Sequence, residues 1–167
     1  DTLVAQFTAC GVERWKGSIA DALIELTGCP RLYERSDTSS RKLEDLPDAT
    51  GWLRGSGETA FELLEHGWRL GLDIAQGHKT GYYLDQRRNR QRLRSLAAGR
   101  RVLDCFCYSG GFSVNALAGG ATSLTLLDAS AEALDLARAN LAKVTQAVSL
   151  PDDVTQTVTQ AVSLHDD

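Results

Sequence analysis

Two segments, read together, constrain this chain most. Residues 102–112 read VLDCFCYSGGF, and residues 124–128 read LTLLD. The first is an apolar strand that ends in Asp104 and runs into a loop of small residues, where Ser109, Gly110 and Gly111 allow a tight turn under a ligand. The second is a strand that ends in Asp128. A small-residue loop leading into a helix lets a ligand approach the backbone closely. An acid at the tip of the next strand can accept hydrogen bonds from ribose hydroxyls. The pair predicts a cofactor that contains adenosine. The loop lacks the GxGxxG spacing of the common dinucleotide folds, which favours S-adenosyl-L-methionine, although Asp128 taken alone fits NAD equally well.

The rest of the pattern predicts an α/β chain in two parts. A helix over 13–27 carries Trp15, Ile19, Leu23 and Ile24 on one face and stops at Gly28 and Pro30. A strand follows over 31–35, then loops over 36–60, then two strands within 61–74 around a turn at His66-Gly67. Residues 1–76 read as a small α+β domain and residues 77–167 as the start of a Rossmann-like domain. In the second part, 82–84 read as a short strand and 89–97 as a helix with Leu93 and Leu96 on its apolar face, stopped by Gly99. Residues 101–105 and 123–128 read as the first two strands of a parallel sheet, separated by a helix from Phe112 to Leu117. Ser130 is placed to cap a helix running through Leu141, with Leu134, Ala137 and Leu141 toward the sheet. This strand–helix order implies right-handed crossovers. The heptapeptide VTQAVSL occurs at 144–150 and again at 158–164. Two copies are too few for a solenoid, and the tail is expected to be irregular or only partly resolved. The chain opens on Asp1, contains no Met, and shows two clear sheet strands where a doubly wound sheet needs more; the expectation is an internal piece of a longer protein.

Charge excludes a bulk-basic nucleic-acid binder, since the formal net charge is -4. It is unevenly spread. From Gln86 to Leu103 there is no acid, yet the stretch holds Arg87, Arg88, Arg90, Arg92, Arg94, Arg100 and Arg101. Such a run is either a solvated helix face or a contact for RNA phosphates. No segment is long and apolar enough for a membrane span, and no signal peptide is visible. The four cysteines make no CxxC pair, which fits reduced thiols in a cytoplasmic protein. Cys105 alternates with Leu103 and reads as packed. Cys107 lies in the loop without a neighbouring His to activate it. His66, His78 and His165 are scattered and give no metal-ligand spacing. Asp104 reads either as a helix-capping acid or as the group that orients the cofactor or its loop. Phe112 reads as core.

HKTGYYLDQRRNR at 78–90, VLDCFCYSGGFSVNAL at 102–117 and LDASAEALDLARANL at 127–141 closely resemble the bacterial large-subunit (23S) rRNA cytosine-C5 methyltransferases that carry a PUA domain. YERSDTSSRKLEDL at 33–46 and LLEHGWRLGLDI at 63–74 resemble the central domain of the same family. The resemblance covers roughly residues 3–141, and the pairing of YLDQR with CYSGGF is more specific than either motif alone. The chain departs from the family in having Ser109 where Thr is usual and Glu44-Asp45 where Glu-Gly is usual. The resemblance implies a class I methyltransferase sheet that binds S-adenosyl-L-methionine. Gln86 and Arg87 would line the pocket from outside the sheet. Asp104, Phe106, Tyr108, Ser109, Gly110 and Phe112 would form the first cofactor motif, and Asp128 would hold the ribose. It implies large-subunit rRNA as partner, no metal and no membrane; oligomeric state stays open, a homodimer included. The family's PUA domain precedes this region, and its substrate motif and catalytic cysteine follow it, so no catalytic residue is expected in this chain and the segment alone is expected to be inactive. The implied chemistry is attack of a thiolate on cytosine C6, which makes C5 nucleophilic toward the methyl group, followed by loss of the C5 proton and elimination of the thiol. A related family that methylates guanine N2 tends to have His where this chain has Gln86, which favours cytosine. A non-catalytic RNA-binding protein with a vestigial cofactor fold is the other alternative.

Overall fold

The computed structural model describes residues 1–76, 81–147 and 155–160. The chain packs as two compact units, Asp1–Ala60 with Asp73–Tyr82, and Phe61–Leu72 with Tyr83–Asp167. The hairpin within 61–74 therefore packs with the second unit, although it precedes the 76/77 division read from the sequence.

The first unit is a three-stranded sheet in the order β1-β2-β3. Strand β1 (Thr2–Ala5) runs parallel to β2 (Arg31–Ser36), and β3 (Ala49–Arg54) pairs antiparallel with β2. The parallel pair needs a crossover, supplied by α1 (Cys10–Glu13) and α2 (Lys16–Thr27). Helix α2 ends where expected, on Gly28 in the left-handed conformation with its N–H on the Ile24 carbonyl. Residues 36–60 are more ordered than the loop expected there: they hold α3 (Ser39–Leu43) and β3. The Gly-rich composition hid a strand that is stabilised by pairing along β2 rather than by its own apolar pattern. Asp45, where the resembled family has Gly, sits at φ 54, a conformation that Gly adopts without strain.

Strand β2 is buried along most of its length although its second half is Glu34, Arg35 and Ser36. Each of these has a partner. Lys16 reaches Glu34 at 3.2 Å, Arg35 donates to the Ile74 carbonyl at 2.6 Å, and Ser36 Oγ accepts the Phe7 N–H at 2.9 Å. Arg41 of α3 is also buried and donates to the carbonyls of Phe7 and Pro47 and to Glu13. Polar burial of this kind is tolerated only when each group is bonded.

In the second unit, β4 (Ala60–Glu65) and β5 (Trp68–Asp73) form a hairpin. Its two turn residues, His66 (φ 50) and Gly67 (φ 89), both have positive φ, the geometry that matches strand twist in a two-residue turn. The short strand expected at 82–84 is absent; a 3-10 turn (Leu84–Gln86) leads directly into α4 (Arg87–Arg94). Then follow β6 (Arg101–Cys105), α5 (Gly111–Ala118), β7 (Ser123–Asp128) and α6 (Ala131–Ala147). Strands β6 and β7 pair in parallel, as expected, with Asp104 opposite Leu126. Gly119 ends α5 where a Cβ would lie 2.2 Å from the Arg94 carbonyl oxygen, so only glycine lets α5 close against the end of α4.

Within the tail, one described segment is regular rather than irregular. Residues Thr155–Gln160 form a strand, β8, parallel to β7, giving the order β6-β7-β8. TQTVTQ places a threonine at every second position, which suits a pleated ladder; the repeated heptapeptide obscures that alternation. Helix α6 also runs six residues beyond the expected Leu141, to Ala147. Leu124 and Leu126 are fully buried with Val114, Leu117, Leu134, Ala137, Leu141 and Val144, so α5 and α6 cover one face of a Rossmann-like sheet. On the other face Leu103 is 64% exposed and Cys105 is exposed, against the packed position expected for it.

Candidate cofactor site

The loop that joins β6 to α5 has three residues with positive φ in alternation: Phe106 (61), Tyr108 (48) and Gly110 (73). Two of them carry bulky side chains, so the loop is strained and persists because its surroundings fix it. Its backbone closes on itself and on β7, with Gly110 N–H on the Cys107 carbonyl (2.8 Å) and Cys107 N–H on the Leu127 carbonyl (3.1 Å). At Gly110 a Cβ would lie 3.0 Å from the Ala137 Cβ, so glycine is required here both by φ and by the approach of α6.

Asp104 and Asp128 stand at the ends of the adjacent strands β6 and β7. Asp104 Oδ2 accepts the Ser113 N–H (3.1 Å) and hydroxyl (2.6 Å), which ties the strand to the first turn of α5. The helix-capping reading of Asp104 is therefore realised, and it leaves Oδ1 without a hydrogen bond among the described residues. Burial holds the Asp104 carboxyl above its ordinary pKa against the two Ser113 bonds, and the nearby Asp128 charge adds to the rise. Asp128 does not cap α6. Its Oδ2 accepts the Tyr108 N–H (2.8 Å) and its Oδ1 the Ser130 N–H (3.0 Å), while Ser130 caps the helix by accepting the Ala133 N–H (3.1 Å). Two carboxylates thus face one loop, each oriented by protein donors and each with acceptor capacity left.

Phe106 is 90% exposed on the loop. Ser109 is buried, and Phe112 is half-buried under the Arg90 guanidinium, 6.0 Å from its ring centroid, rather than in the core. Gln86 bonds its neighbours Asp85 and Asn89, and Arg87 is exposed with its carbonyl accepting from His66 Nε2 (3.3 Å). Neither has a hydrogen bond to the 106–110 loop among the described residues. Tyr83 makes the contact from that segment instead, its ring edge-on to Tyr108 at 5.9 Å. Cys107 is buried, and burial pushes its thiol up to about 12, which disfavours the thiolate. Among the described residues there is no group of three or more metal-binding side chains and no helix long and apolar enough to cross a membrane. His78 and His165 lie outside the described residues.

Sequence reading missed Ser113, Tyr83 and Asn140. The signal for Asn140 was there to be read: an amide in the apolar stripe of α6, otherwise made of Ala133, Leu134, Ala137, Leu141 and Val144.

A family model for S-adenosylmethionine-dependent methyltransferases matches residues 26–149. The chain belongs to that family. Among curated relatives, it is 43% identical over 159 residues to ribosomal RNA large subunit methyltransferase I of Serratia proteamaculans, covering 92% of this chain and 40% of the relative. It is 46% identical to the protein of the same name from Aeromonas hydrophila, over 84% of this chain and 36% of the relative. The chain thus spans about two fifths of the length of these relatives. Among solved structures it resembles a putative SAM-dependent methyltransferase from Streptococcus mutans, with a TM-score of 0.76 at 26% identity, over 96% of this chain and 40% of that one. It also resembles SMU.776, a putative methyltransferase complexed with SAH, with a TM-score of 0.74 at 27% identity and the same coverage of both chains. The fold is therefore a Rossmann-like class I methyltransferase core, with three strands among the described residues, preceded by a small mixed α+β region. The cofactor of this family is S-adenosyl-L-methionine. The site suits it: an adenosine offers ribose hydroxyls to a strand-tip carboxylate, and a cationic sulfonium and ammonium suit a place where the Asp128 charge adds to the cost of ionising Asp104.

Proposed function

We propose that this chain supplies the cofactor half of an enzyme that methylates large-subunit rRNA, with cytosine C5 as the target atom. The observation that carries the reading is the pair of oriented carboxylates, Asp104 and Asp128, flanking a strained loop in a chain whose relatives are named as large-subunit rRNA methyltransferases. The proposed cofactor set is Gln86, Arg87, Asp104, Phe106, Tyr108, Ser109, Gly110, Phe112 and Asp128. In it, Asp128 accepts from the ribose hydroxyls, the exposed Phe106 ring offers an apolar face, and Asp104 keeps the α5 end of the loop in place while lending its charge. S-adenosylmethionine, when bound, supplies the methyl group. The buried Cys107 is not the nucleophile, which belongs to another part of the whole protein; the cytosine target and its thiolate chemistry rest on the motif resemblance at 78–90 and 102–117. The test is methyl transfer by the full-length protein to rRNA lacking the modification, with nucleoside analysis. C5-methylcytidine is expected; a methylated guanosine, or cofactor binding without product, would overturn the assignment.

The Asp104 carboxyl gives this reading a pH signature. Its pKa is raised in the folded chain, so it takes up a proton at a higher pH than an ordinary aspartate. A protonated Asp104 no longer attracts a cationic ligand. Affinity for S-adenosylmethionine should therefore fall as pH falls through that raised value, and Asp104→Asn should flatten the profile. Calorimetry across pH reads both.

Structure also sorts the arginine run. Arg90 is buried against Glu65, and Arg94 lies 5.5 Å over the Trp68 ring, so both serve the packing of α4. Arg87, Arg88 and Arg92 are exposed. Arg88 and Arg92, one turn apart, are the test of an RNA contact. Neutralising both to Gln should weaken rRNA binding and lower its salt dependence by about one unit of slope for each phosphate no longer neutralised. An unchanged slope identifies a solvated helix face.

A further inference from the structure

Asn140 is 1% exposed in the middle of α6 and makes three hydrogen bonds. Its Oδ1 accepts the Gly71 N–H at 2.6 Å, and its Nδ2 donates to the Gly71 carbonyl at 3.2 Å and to the Ser109 carbonyl at 2.9 Å. One amide thus joins β5 of the hairpin to the loop between β6 and α5. We propose that Asn140 is a positioning residue for cofactor binding, fixing the Ser109 carbonyl, and with it the 106–110 turn, from a side chain clamped on Gly71. The proposal rests on the assignment of that loop to the cofactor.

Three observations support it. Ser109 lies between two residues of positive φ, Tyr108 and Gly110, so the direction of its peptide carbonyl decides how the turn closes. Ala137, one turn before Asn140, already sits where a Cβ on Gly110 would touch it, so two successive turns of α6 shape the same loop. The amide itself is held rigidly. Both oxygen and nitrogen are bonded to the backbone of Gly71, where an added Cβ would lie 3.3 Å from Oδ1. No other side chain of this size supplies an acceptor and two donors in one plane. Aspartate would keep the acceptor for Gly71 N–H and set a charged oxygen against two carbonyls. Opposite Asn140, the Asp128 carboxylate holds the Tyr108 N–H, so the turn is gripped on consecutive residues from α6 and from β7.

The alternative is that Asn140 only glues the hairpin to the helix. Cofactor affinity separates the two when stability is matched. In the full-length protein, Asn140→Asp is compared with Val144→Ala, a buried change one turn further along the same helix, by calorimetry with S-adenosylmethionine and by thermal unfolding with and without it. Should N140D fail to fold, Asn140→Ser, smaller and still a donor, gives the same comparison. Loss of the Ser109 bond should raise the dissociation constant about tenfold and shrink the ligand-induced rise in Tm, with the KM for the cofactor moving more than kcat. V144A should lose stability yet bind normally. Equal affinity changes in the two variants, or none in either, would overturn the proposal. An Asp128→Ala arm separates its failure from failure of the site: if D128A loses binding while the Asn140 variant keeps it, only the role of Asn140 falls, and if D128A binds normally the loop assignment falls with it.

Discussion

Asp128→Ala should raise the dissociation constant for S-adenosylmethionine about a hundredfold or more. Two charge-assisted hydrogen bonds to ribose hydroxyls are worth roughly 1.5–3 kcal/mol each, and the lower end of their sum already reaches that ratio. The loss extends beyond the ligand. In the free protein Asp128 accepts the N–H groups of Tyr108 and Ser130, at 2.8 and 3.0 Å. Alanine leaves both donors without a carboxylate, and Tyr108 then has less to hold it at φ 48. Asp128→Asn keeps one acceptor and should fall between. Calorimetry gives the affinities, and unfolding without ligand shows how much of the change is loop order. Normal affinity in D128A would remove the ribose role and the site built on it.

The parts of this site that sequence reading reached are those whose chemistry is local. A strand tip with an acid, a loop of small residues, a Ser before a helix and a two-residue turn at His66-Gly67 each carry their own signal, and β6, β7, the Ser130 cap and the hairpin follow from them. What stayed hidden depends on partners far along the chain. Strand β3 is defined by pairing with β2, and β8 by pairing with β7; the glycines around β3 and the polar run of β8 suggest loops when read alone. Glu34, Arg35 and Arg41 look like surface residues until their partners Lys16, Ile74 and Phe7 are known. Cys105 alternates correctly with Leu103, but alternation does not say which face is covered. Phe112 has the composition of core and instead lies against a buried cation.

That cation sets the second large effect. Arg90 and Glu65 are each 2% exposed and form a two-pronged ion pair, Nε to Oε1 at 2.6 Å and Nη2 to Oε2 at 2.7 Å. Arg90 Nη1 also donates to the Tyr83 carbonyl at 2.9 Å. The pair locks the end of β4 to α4, and through Tyr83 and Phe112 it touches both sides of the 106–110 loop. Removing one member strands the other charge in a dry site, which typically costs about 3–5 kcal/mol. Arg90→Met should therefore destabilise the protein by about that amount in urea unfolding, a large share of the roughly 5–15 kcal/mol that holds a domain together. Removing both members is different, because desolvation of the two charges offsets much of their attraction. The double change Glu65→Leu with Arg90→Met should recover much of the loss, short of the charge-assisted bond to Tyr83, worth about 1.5–3 kcal/mol. Losses that simply add in the double variant would mean that the two side chains act separately, through packing, and that the ion pair does not couple the hairpin to α4.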